Sequence, residues 1–185
     1  MQKILQEVKQ YIFSKGRKLE QARWNYHFEQ QSKEEVISCL KDFQNEDGGF
    51  AHGLEPDFWT PESNPIDTWV AINILDTLNL DSTHPMVRKV LDYLKNCTYQ
   101  EEYVYYFSIP SINSYPHAPW WEYSEDRKIA GYNPSASLWG FILKYENPNS
   151  SIYQVIHEKV TVAIESFLKT TTTEKHELVN FIELY

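Results

Sequence analysis

A chain of 185 residues is long enough to bury one core and too short to argue for two, and 42% hydrophobic against 23% charged residues describes a soluble globular protein. The net charge of -9, without any Lys/Arg run, argues against nucleic acid and anionic membrane as partners, since both need a basic face. No apolar run approaches the roughly 20 residues that span a bilayer, and the amphipathic N-terminus lacks a signal peptide's apolar core, so the chain reads as cytoplasmic with no membrane span.

Helical periodicity dominates from the start. Residues 2–14 set Ile4, Leu5, Val8, Tyr11 and Ile12 on one face before Gly16, and a second segment over about 18–30 carries Leu19, Ala22 and Tyr26. Ser32 followed by Glu35 predicts a capping box, with Val36, Ile37, Leu40 and Phe43 as the stripe behind it. After a long loop, Asn64 as N-cap and Pro65 at the first helical position open the fourth helix. Ser82 or Thr83 opens the fifth, through Val87, Val90, Leu91 and Leu94. Residues 98–132, crowded with Tyr, Pro and Trp, read as irregular. Asn133 and Pro134 then open a sixth helix, about 151–169 forms a seventh, and Thr173 caps an eighth. Cys39 and Cys97 lie in apolar helical patterns outside any CxxC, which predicts buried free thiols.

A repeat runs through these segments. NPIDTWVAINILDTLN and NPSASLWGFILKYEN share the Asn-Pro opening, a Trp near the first turn (Trp69, Trp139) and an apolar stripe, and each is followed by another amphipathic helix. Helical pairs of this kind stack in an open solenoid or curl into a closed α/α barrel. The fold class is therefore all-α.

The stretch QNEDGGF at 44–50 sharpens this. It resembles the QW-type repeat of terpenoid cyclases and protein prenyltransferase β-subunits, an uncharacterised bacterial branch of them, in which the motif joins an outer to an inner helix of an α/α toroid. Gly48 and Gly49 suit a tight exit in conformations that a Cβ would obstruct. The resemblance implies a toroid with an aromatic-lined cavity for an apolar or polycyclic substrate. It is incomplete, because no Asp-x-Asp-Asp or Asp-Asp-x-x-Asp motif is present and the loop after the repeat supplies no Cys and no basic residue for zinc or a diphosphate. A closed toroid needs twelve helices, and eight segments exhaust this chain. The expectation is a single domain over 1–185 that is an incomplete arc, either truncated at the C-terminus or covered by a second copy at an open helical edge marked by Leu178, Phe181, Ile182 and Tyr185.

Two loops carry the candidate chemistry. HGLEPDFW places His52, Glu55, Asp57 and Trp59 within eight residues, a set suited to acid/base work. SYPHAPWWEY adds Tyr115, His117, Trp120, Trp121 and Glu122, an aromatic surface with a polar handle. If the loops share a rim, Glu55, Asp57, His52, Glu122 and His117 are the catalytic candidates, with Trp59, Tyr115, Trp120, Trp121, Trp69 and Trp139 binding substrate. No metal-ligand set is assigned, and no cofactor follows from the sequence. Three functions fit: a prenyltransferase- or cyclase-like protein with a small-molecule substrate, a carbohydrate-active α/α barrel using the loop carboxylates, and a non-catalytic helical scaffold. Asp67 and Asp76 read as a cap and a solvated face.

Overall fold

The computed structural model describes residues 2–184, in which helices dominate and one two-stranded ribbon is the sheet structure. Residue contacts divide the chain into two compact units, one ending at Gln44 and one beginning at Asn45, where the sequence reading takes 1–185 as one domain.

The first unit holds α1 (Gln2–Lys15), α2 (Lys18–Phe28) and α3 (Lys33–Leu40). Leu19, Ala22 and Trp24 of α2 and Val36, Ile37 and Leu40 of α3 are buried where these two helices pack. The Ser32 hydroxyl accepts from Glu34 N–H, one residue earlier than the capping box predicts. The helix gives way to a 3-10 turn at Lys41–Phe43, where Phe43 lies under the Arg17 guanidinium.

The second unit begins with the Gly-Gly turn. Gly48 has φ of +92° and a Cβ there would meet the Lys89 carbonyl at 2.1 Å, so only glycine fits, as the glycine pair predicts. Beyond the loop run α4 (Pro65–Thr77), α5 (Pro85–Asn96), the hairpin β1 (Gln100–Glu101) and β2 (Val104–Tyr105), then α6 (Ser135–Tyr145), α7 (Ser151–Phe167) and α8 (Lys175–Leu184). The hairpin and three 3-10 turns occupy the segment read as irregular. Eight residues of α4 and eight of α6 are buried, more than one face of each helix, with Trp69, Val70, Asn73 and Asp76 of α4 half-buried and Lys144 of α6 exposed. By contrast α7 buries only the Ile152, Ile156, Val160 and Ala163 stripe. A helix buried over most of its surface is an interior helix, and one with a single buried stripe covers it. Helix α6 is the hub, packing on α4, α5, α7 and α8.

Three predicted starts move. The side chain of His84 caps α5 and Pro85 takes its first position, because His84 Nδ1 reaches Met86 N–H at 3.3 Å. Helix α6 begins at Ser135 and Asn133 is not its cap, its side-chain oxygen accepting from Asn180 instead. Glu174, not Thr173, accepts the first free N–H groups of α8.

Helix α8 docks through polar groups. Glu183 accepts from Trp69 Nε1 at 2.7 Å, Asn73 at 3.2 Å and Ser137 at 2.6 Å, and fully buried Asn180 lies against Ser137 and Asn133. Its Leu178, Val179 and Ile182 are exposed, while Phe181 stacks on Phe167; Tyr185 lies outside the described residues. Among the described residues no helix is long and apolar enough to cross a membrane. Cys97 is buried, its thiol pushed up to about 11 by desolvation, whereas Cys39 is only half-buried.

Candidate functional site

The long loop folds around the start of α4. Asp47 Oδ1 accepts from Gly49 N–H at 3.0 Å and from Ser63 Oγ at 2.7 Å, clipping the two arms of the loop together. Phe50 N–H donates to Thr68 Oγ1, and Asn64 caps the helix by accepting Asp67 N–H at 2.8 Å. Asp67 is fully buried: its carboxylate takes Asn64 Nδ2 at 2.6 Å and the backbone N–H of Glu55 at 2.6 Å. A carboxylate at a helix N-terminus is favoured by the helix dipole, and here it also fixes the backbone of Glu55. Asp76 instead pairs with Lys144 at 2.9 Å.

The second loop lies against the first. Phe58 and His117 form an antiparallel bridge, Trp59 N–H donates to Pro116 O at 3.1 Å and Ala118 N–H to Asp57 O at 3.0 Å. Phe58 and Trp121 meet edge to face in a small core with Ile66, Ile109 and Ile112. Trp121 Nε1 donates to Asp57 Oδ1 at 2.6 Å, joining residues 64 apart in sequence.

Glu55, Asp57, Trp69, Trp120 and Trp121 line one cleft of about 520 Å³. Trp120 and Trp121 both reach it because the 3-10 turn Pro119–Trp121 splays neighbours about 120° apart. Phe107, Asn133, Lys175 and His176 complete its walls. Asn133 had a signal in the Asn-Pro repeat, read there as a cap; Phe107 and the start of α8 had none.

The other sequence candidates lie elsewhere. His52 is exposed and bonds to Asn45 Oδ1 at 2.9 Å, because its own backbone N–H is held by Thr60 O at the loop's edge. Trp59 is 54% exposed, with its indole N–H on Pro56 O. Tyr115 is exposed, and its carbonyl faces His117 Nδ1 at 2.7 Å. His117 Nε2 meets Glu122 at 3.1 Å, and the Tyr115 carbonyl together with Glu122 raises the imidazole pKa above its ordinary value. This pair sits outside the cleft lining. Trp139 is buried, donates to Tyr103 O at 2.7 Å and borders a separate hollow of about 670 Å³ with Tyr132, Val155 and Lys159, so the two repeat tryptophans do not share a cavity. That hollow is the larger, but none of its lining residues comes from the two candidate loops.

Among the described residues no group of three or more His, Cys, Asp or Glu is arranged to hold a metal ion. No family model, curated protein or solved structure matches the chain.

Proposed function

We propose that this protein is a terpenoid-cyclase- and prenyltransferase-like α/α toroid, or an arc of one, that binds a small molecule with an apolar or polycyclic body in the Trp69–Trp120–Trp121 cleft. The alternation of interior helices α4 and α6 with the covering helix α7 supports the toroid reading, as does the glycine turn that leads into α4. The observation that carries the binding reading is the meeting of four aromatic rings and two carboxylates from separate segments in one cleft. Lys175 is the single Lys or Arg among its lining residues, a poor match to a diphosphate, which needs several cations.

Glu55 and Asp57 in the same cleft favour a second reading, a carbohydrate-active site with the rings stacking on sugar. The test is tryptophan fluorescence. Farnesol or a squalene-like ligand should quench it and oligosaccharides should leave it unchanged, with Trp120→Ala removing most of the response. The reverse ligand order would select the sugar reading, and no response to either would set both aside.

A further inference from the structure

We propose that the small molecule taken by this cleft carries a positive charge, an ammonium group attached to its apolar body. This rests on the binding reading above and names the ligand class for the same site.

The balance of charge around the cleft favours a cation. The neighbouring cleft of about 340 Å³ shares Phe107, Asn133 and His176 with the first and adds Glu174 and Glu177. Four carboxylates thus border the two adjacent clefts against one lysine, Lys175, and a chain of net charge -9 adds to the same sign. Clefts lined by one sign of charge concentrate ligands of the other.

Two of the three indole donors at the cleft are already spent within the protein. Trp121 gives its indole N–H to Asp57 and Trp69 gives its own to Glu183, so both rings are fixed by protein carboxylates. They offer a ligand ring surface and no N–H. The face of an indole is negative and attracts a cation, and a neighbouring carboxylate strengthens that attraction. An anion would find the side-chain donors of Lys175, His176, Asn133 and Trp120, with one lysine as the only side chain among them of fixed positive charge. Trp120, 56% exposed, leaves a ring open at the entrance.

Three ligands with one body and three charges test this: farnesylamine, farnesol and farnesoic acid, titrated against the full chain by calorimetry and tryptophan fluorescence. Farnesylamine should bind at least about tenfold tighter than farnesol, and farnesoic acid more weakly than either. Asp57→Asn, which keeps an oxygen for Trp121 but removes the charge, and Trp120→Ala should each narrow the gap with an unchanged circular dichroism spectrum. Equal binding of amine and alcohol would overturn the ammonium proposal while leaving the aromatic-cleft reading in place. A gap undiminished in both variants would put the charge preference at another surface and overturn it as well. Failure of all three ligands to bind would remove both.

Discussion

Asp67 shows how much one side chain can hold. Its buried carboxylate accepts from Asn64 Nδ2 and from Glu55 N–H, and removing it takes this acceptor from both, leaving Asn64 Nδ2 its bond to Glu62 O at 3.2 Å. Asp67→Ala should lower unfolding stability by about 2–4 kcal/mol in urea denaturation and speed exchange of the Glu55 amide, whereas Asp67→Asn, keeping one acceptor, should cost about 1 kcal/mol. A loss under about 0.5 kcal/mol for the alanine variant would refute this account. His117 yields a pH dependence. Its folded-state pKa is raised, so the folded protein holds the proton more tightly than the unfolded chain. The added stability is therefore complete below the ordinary value of 6.5 and fades as pH rises through the raised one. Melting temperatures of the native chain and Glu122→Gln should differ most near about pH 5.5 and converge by about pH 8.5. A constant difference across that range would rule the histidine out.

The helices were legible in the sequence more than their ends were, and the reason lies in side-chain partners. Asn64 caps α4 with Asp67 three residues on, and the pair reinforce each other. Asn133 precedes the same Pro but has Ala136 at the matching place, so its side chain turns to Asn180 and the helix starts later. The meeting of the two loops was anticipated, yet which of their residues face the cleft depended on the Phe58–His117 bridge, a contact that no local pattern records. The docking of α8 was wholly hidden, since Glu183 reaches Trp69 across 114 positions. Glu183→Ala should therefore loosen α8: protease cleavage near Lys175 should quicken and Trp69 emission should shift to the red. If α8 resists proteolysis as before, its polar seam is not what fastens it.

For the whole molecule, the deep burial of α4 and α6 has a bearing on how the protein can change over generations. A surface helix has a free side on which replacements accumulate, but a mostly buried one has little. In an exhaustive replacement library selected for folded protein, α6 should accept few alternatives at any of its eight buried positions, the small Ser135 and Ala136 included. Helix α7 should drift freely outside its four buried residues. Surviving diversity would then rise and fall from helix to helix along the chain, and an even spread through α6 would mean that its surroundings yield more easily than their packing implies. Innovation in this protein is thereby steered into the connections, the segments that already hold its cleft.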